Sequence, residues 1–357
     1  MRTPVHAAAS SRAFTLAELM IVLIILGVVL SVVLPSLSAT SKSAQRAATV
    51  TLMSGVSAAA TAFSNDHQGQ NPGYFTAKQM GSSDNEDQGF AGLMNMMLDL
   101  MPGVTTKPAL TDQQVIEVGP GQTAADGRVN VDLTQLGSAA SLDSSNSVRS
   151  YYRPDPKYFY ASVDPAQRAD AASLVRGKQV SQNESHYVMP TLHDAFGQPI
   201  LGWQEDDRTP DFFAAMNSGS LSANAGSAGN KARFYWASNA CFLKATSLGK
   251  QLKSQVANAN RESSLLGGGT NEGEINSTME ALLGNPAFPA TASVPTRGRG
   301  PIVMHSAGAN GMYVGSEERG AIIARGTSGT AGPIRYIPGF DQFKNGDFDD
   351  IVLGSGN

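Results

Sequence analysis

Residues 14–34 read Phe-Thr-Leu-Ala-Glu-Leu-Met-Ile-Val-Leu-Ile-Ile-Leu-Gly-Val-Val-Leu-Ser-Val-Val-Leu, an apolar run of 21 residues that holds one carboxylate, Glu18. At about 1.5 Å per residue, a helix of that length spans the ~30 Å hydrocarbon layer of a bilayer. A carboxylate inside such a run costs up to about 2.5–3.5 kcal/mol at mid-membrane and less near the end, where Glu18 stands; an acid kept there points to a partner and a task. The residues before the run include Arg2 and Arg12 and no acid. By the positive-inside tendency this puts the N-terminus in the cytoplasm and whatever follows the helix outside the inner membrane.

A secretory signal peptide fits poorly. Its apolar core is about 7–15 residues long and a small-x-small cleavage site follows it. Here the run is longer, the small residue Ala13 precedes it, and it ends at Leu34-Pro35-Ser36. A plain single-pass anchor is compatible with the run, but it requires neither an acid five residues from a small-residue junction nor a proline at the far end.

The stretch Arg12-Ala13-Phe14-Thr15-Leu16-Ala17-Glu18-Leu19-Met20, with Pro35 beyond it, resembles the start of type IV pilins and type II secretion pseudopilins. The resemblance implies that a prepilin peptidase cuts between Ala13 and Phe14 on the cytoplasmic side and that Phe14 is N-methylated. It also implies that the apolar helix stays on to hold subunits together. Ala13 stands where the family usually has Gly. Glu18 then has a physical role, because the amine freed at Phe14 is cationic and an opposite charge a few ångströms away in a low-dielectric setting is strongly attractive. The carboxylate of one subunit can neutralise the amine of its neighbour and set the axial step. Pro35 releases a backbone carbonyl and bends or loosens the helix.

Beyond Pro35 the helix is expected to continue. Leu52, Val56, Ala59 and Phe63 follow the 4-3-4 spacing of one helical face, and Asn65-Asp66-His67-Gln68-Gly69 stops it. A helix over 14–66 would be about 80 Å long. The domain reading is therefore a leader at 1–13, a transmembrane and assembly helix at 14–66, and a globular head at 67–357, periplasmic or extracellular, with long loops.

Of the 357 residues, 41% are hydrophobic and 16% charged, enough to bury a sizeable core after the helix. The formal charge of −4 becomes −6 once Arg2 and Arg12 leave with the leader. That argues against a nucleic-acid partner. The lone Cys241 excludes an intrachain disulfide. Residues 137–150, 217–231 and 263–276 are rich in Ser, Gly and Asn and read as loops. Phe90–Met101 reads as a Met-rich amphipathic helix stopped by Pro102-Gly103. Strands are expected at Gln114–Val118, Arg128–Leu133, Tyr158–Val163, Ala232–Ser238, Gly300–Met304, Gly311–Val314 and Asp350–Leu353. The fold class is α+β and pilin-like: a long N-terminal helix and a head with a small antiparallel sheet packed on the helix's distal half.

Two head segments extend the resemblance. His193-Asp194-Ala195-Phe196-Gly197-Gln198-Pro199-Ile200 looks like the Asp-Pro-Trp-Gly-Asn-Pro turn of major pseudopilins. Met304 to Gly311, followed by Asn345-Gly346-Asp347-Phe348-Asp349-Asp350-Ile351, looks like their C-terminal Ser-x-Gly-x-Asp/Asn-Gly segment and acidic loop, although about thirty residues part the two halves here. That region of the family binds calcium, and crowded carboxylates repel unless a hard cation bridges them or water surrounds them. Asn345, Asp347, Asp349 and Asp350 are the candidate Ca2+ ligands. Phe343 and Val352 stand where an EF-hand needs oxygen ligands, so an EF-hand is rejected.

No enzymatic signature stands out. The histidines His6, His67, His186, His193 and His305 show no H-E-x-x-H spacing, and no G-x-S-x-G elbow, phosphate loop or dinucleotide fingerprint is present. The resemblance therefore implies a structural subunit, not an enzyme: a type II secretion pseudopilus or type IV pilus-like filament protein. Its expected partners are the prepilin peptidase, other pilin or pseudopilin subunits, an inner-membrane assembly platform and membrane lipid. The alternative is a non-polymerising, single-pass membrane-anchored binding or enzymatic domain.

Overall fold

The structure is a computed structural model that describes residues 16–82, 85, 90–107, 115–122, 127–136, 150–160, 189–205, 234–243, 266, 282–283, 300–314, 322–324, 334–336 and 350–354. The chain divides into two compact units, Met1–Gln45 and Arg46–Asn357. The first holds the apolar part of helix α1 (Leu16–Asp66), which passes unbroken through Pro35. Leu16 to Leu26, Val28 to Leu30, Val33 and Leu37 lie open on every side, and none of the most apolar 18-residue window is buried. A helix apolar all round and uncovered requires lipid or other helices around it.

The second unit begins on α1 itself. Met53, Val56, Ala59, Ala60 and Phe63 are buried and enter the hydrophobic core, at about 1.5–3 kcal/mol for each of the larger side chains. This is the face that the 4-3-4 spacing predicts, with Leu52 at its margin. At the helix end Gln68 and Gly69 take positive φ of 56° and 85°, and the Gly69 N–H reaches back to Ser64 O at 2.8 Å. That satisfies a carbonyl which would otherwise be orphaned. His67 stacks on Phe63 at 3.9 Å, with the Tyr151 ring edge-on to Phe63.

Helix α2 (Ala77–Met80) is one turn closed by a capping box, with Thr76 and Gln79 exchanging side-chain-to-backbone bonds. Helix α3 (Gly92–Leu100) fulfils the Met-rich helix prediction in place but not in character. All its residues except Asp99 are buried, so it is an enclosed helix rather than an amphipathic one. Enclosure is tolerable because its polar groups are satisfied: Asn95 bonds both the N–H and the carbonyl of Phe75, and Asp99 accepts from Gly73 N at 2.7 Å.

The described strands form four small antiparallel sheets. One has β1 (Val104–Thr105), β2 (Val115–Val118) and β3 (Val129–Asp132), with β3 central; another has β6 (Leu201–Gln204), β7 (Ile302–Ser306) and β10 (Ile351–Gly354), with β7 central. β4 (Phe159–Tyr160) pairs with β5 (Thr191–Leu192), and β8 (Ile322–Ala324) with β9 (Ile334–Tyr336). In the second sheet His305 faces Leu201 on one side and Val352 on the other. Every residue of β7 is buried, so the sheet is core on both faces.

Two strand expectations fail. Within Ala232–Ser238, Phe234 and Tyr235 are followed by a tight helical turn, Trp236–Asn239, which leads into α4 (Ala240–Leu243). The apolar residues are buried in either conformation. What decides is Asn239, whose amide donates to Gly202 O at 2.8 Å and whose oxygen accepts from Gly92 N at 3.3 Å. Gly311–Val314 is a turn, because Asn310 Oδ1 captures Met312 N at 2.7 Å and Gly311 takes φ 73°. The loops expected at 137–149, 217–231 and most of 263–276 lie outside the described residues.

Candidate functional site

The N-terminal site is the first turn of α1. Glu18 lies there as its one acid. Ala13 and Phe14 lie outside the described residues. From Leu19 to Asn65 the sequence contains no Asp or Glu, so Glu18 is the sole carboxylate in the membrane-length part of the helix. A carboxylate among apolar residues is suited to pairing with a cation.

The second candidate site is a buried polar network that joins the two head segments singled out in the sequence. His193 to Ile200 is a tight turn between β5 and β6, closed by Asp194 N to Gln198 O (2.7 Å) and by a His193–Pro199 bridge, with Gly197 at φ 84°. Asp194 Oδ1 accepts from Phe196 N (3.0 Å) and Gln198 N (2.7 Å), and Oδ2 accepts from Ser306 Oγ (2.7 Å) on β7. The turn also reaches α1, since Ala195 N donates to Thr49 Oγ1 at 3.1 Å. One residue along β7, His305 Nε2 lies 2.6 Å from Asp350 Oδ2, and that oxygen also accepts from Val314 N at 2.8 Å. Tyr313 donates its hydroxyl to Pro199 O, which ties the turn after β7 back to the first segment. Val314 sits at φ 52°, a strained conformation for a β-branched residue, and the Asp350 bond helps to hold it.

Burial pushes the Asp194 carboxyl up to about 6, against the pull of its N–H and O–H donors. Full burial pushes the His305 imidazole down to about 3, and its Nε2 lies against Asp350 Oδ2. A neutral His305 donating from Nε2 leaves only a lone pair, not an N–H, at its Nδ1, which has no hydrogen-bond partner. These groups are sealed from substrate: His305, Ser306, Asp194 and Asp350 are all within 3% of full burial. They serve packing and position.

The signs of the two shifts give a prediction. Asp194 takes up its proton more readily folded than unfolded, so its contribution to stability falls as pH rises from about 4 to 6, by about 3 kcal/mol, and is flat above. His305 acts oppositely, contributing stability above its ordinary value that is lost as pH falls toward 3. The difference between wild type and Asp194→Asn, each unfolded by urea in detergent micelles from pH 4 to 7, isolates the first effect. The wild type should lose stability relative to the variant as pH rises, and a pH-independent difference would refute the shift.

Of the calcium candidates, Asn345, Asp347 and Asp349 lie outside the described residues. Asp350 is buried on the lead into β10, with Oδ2 bonded to His305 and Val314. Among the described residues no cluster of three or more His, Cys, Asp or Glu could hold a metal ion. The acidic run predicts a solvated or cation-bound loop, and only the register of β10 against β7 shows that its last member is core.

A membrane-length apolar helix leading into a small-sheet α+β head is the pilin-like class of protein. Within that class, residues 9–34 match the family model of the prokaryotic N-terminal methylation motif, which supports a type IV pilin or pseudopilin-family protein processed by a prepilin peptidase. The match ends at Leu34, one residue short of Pro35, and includes Ala13, Phe14 and Glu18. No curated protein and no solved structure matches the chain.

Proposed function

We propose that this chain is a structural subunit of a type II secretion pseudopilus or a type IV pilus-like filament, and not an enzyme. The observation that carries the reading is the conjunction at one end of the chain: a methylation motif heading a helix that is apolar and uncovered all round. A signal peptide is discarded and a simple anchor requires no methylated Phe, whereas a subunit stored in the membrane and polymerised through its helices uses every part of this segment. The precursor waits in the inner membrane with the head on the periplasmic side. An assembly platform with its own source of energy then draws it out of the lipid into the filament. The head turn at 193–200 and the segment after β7 favour the secretion pseudopilus over a surface pilus.

The direct test is the mature N-terminus. Intact-mass and terminal-peptide analysis of protein from its native membrane should show residues 1–13 removed and Phe14 methylated, and Ala13→Leu should leave the precursor uncut. A full-length precursor, or a cut near Ser36, would return the chain to the class of plain anchors or secreted domains.

A further inference from the structure

The buried face of α1 does not by itself fix where along the helix the head sits. Met53, Val56, Ala59, Ala60 and Phe63 contact the core, and a slip of four residues would present Thr49, Leu52, Gly55, Val56 and Ala59, again small or apolar. Such a slip would exchange buried Met53 and Phe63 for Thr49 and Ala59 and is therefore opposed by burial, but burial is non-directional and fixes no single pair of atoms. Three features of the structure do discriminate. Thr49, itself fully buried, accepts from Ala195 N in the turn that Asp194 ties to β7. Asp66, seventeen residues on, accepts from the Tyr151 hydroxyl at 3.0 Å. Between them the Tyr152 ring lies 3.4 Å from the position a Cβ on Gly55 would take, and a four-residue slip would put the branched side chain of Thr51 there.

We propose that Thr49 and Tyr151 are positioning residues that pin the head to a single axial register on α1, one at each end of the buried stretch. Directional bonds do what the apolar face cannot. At Thr49 a slipped helix would take the hydroxyl away from the part-buried Ala195 N–H, and a donor that gives up its acceptor where water has little access is penalised. The consequence for assembly rests on the filament reading given above. In a polymer joined through α1, a one-turn slip displaces a head by about 5.4 Å along the helix, so heads of mixed register could not form one regular surface.

The test is made on the full chain in detergent micelles, independently of any filament. Spin labels are placed at Ser54→Cys on α1 and Lys157→Cys on the head, both exposed positions, in a Cys241→Ser background. Pulsed dipolar distances should give one narrow peak in the otherwise wild-type chain. Thr49→Val with Tyr151→Phe should add a second population displaced by up to about 5 Å, while Thr49→Ser with Tyr151 intact keeps the single peak. Should the double variant fail to fold, Thr49→Val alone is read in the same way. An unchanged single peak in the folded variant, even with a lowered melting temperature, would show that the two bonds merely add stability and would overturn the proposal. If the wild-type chain never forms filaments, the assembly reading falls while the distance result stands or fails separately.

Discussion

A chain carrying Glu18→Ala is expected to enter the membrane, lose its leader and yet be missing from filaments when it is the only source of this subunit. Insertion should not suffer, because the change removes a group that is costly in hydrocarbon. Cleavage should not suffer either, since the proposed cut, at Ala13-Phe14, lies on the other side of the motif. In the proposed filament, what is lost is the carboxylate that would meet the cationic Phe14 amine of a neighbouring subunit. Breaking such a pair in an apolar surround costs about 3–5 kcal/mol, because the amine is left buried and uncompensated. That is a hundredfold or greater loss in the equilibrium for adding a subunit. Glu18→Gln keeps shape and a hydrogen-bond acceptor without the charge, and should be nearly as defective. The measurement is the amount of subunit in sheared or pelleted filaments against the amount in the membrane. Filaments built from Glu18→Ala protein alone, in ordinary yield, would show that the pairing is dispensable.

What could be read from the sequence divides along the range of the interactions involved. α1 was legible from Leu16 to Asp66, because apolar length, the 4-3-4 face and the stop at Asn65 to Gly69 are all local. The β2 and β3 positions were legible for the same reason, and the turn at Asp194–Gly197 through its resemblance to a family turn. Phe234–Ser238 was not, since its conformation is settled by Asn239 reaching Gly202 and Gly92, far away in the chain. The partners of Asp194, His305 and Asp350 were likewise invisible. Ser306 is 112 residues from Asp194 and Asp350 is 45 from His305, and no periodicity encodes which of several acids will be drawn into the core. The methylation motif at residues 9–34 is legible for the converse reason: it lies within one short stretch and is its own context.

The tightest non-local contact in the head yields the second large effect. α3 and β6 approach so closely that a Cβ on Gly92 would lie 2.1 Å from Gly202 O, and one on Gly202 would lie 2.8 Å from Leu93 N. Both obstacles are backbone and cannot swing aside as a side chain would. Gly92→Ala must therefore separate helix from strand. The same movement strains the bonds by which Asn239 joins Gly92 N to Gly202 O, leaving buried polar groups poorly paired. Overpacking costs about 1–3 kcal/mol and an unsatisfied buried group about 1–3 more, so the expected loss is roughly 3–5 kcal/mol, a large share of a domain's whole stability. Gly55→Ala is the control: its added methyl meets only the Tyr152 ring at 3.4 Å, and alanine's better helix propensity offsets that contact. The chain's two tryptophans, Trp203 on β6 and Trp236 beside Asn239, are both buried against this contact region, so their fluorescence reports its opening directly. Urea unfolding in micelles should show a midpoint far lower for Gly92→Ala and little changed for Gly55→Ala. Equal midpoints for Gly92→Ala and wild type would mean that α3 can move off β6 at no cost, and the close packing of that helix on the sheet would then not be what holds the head together.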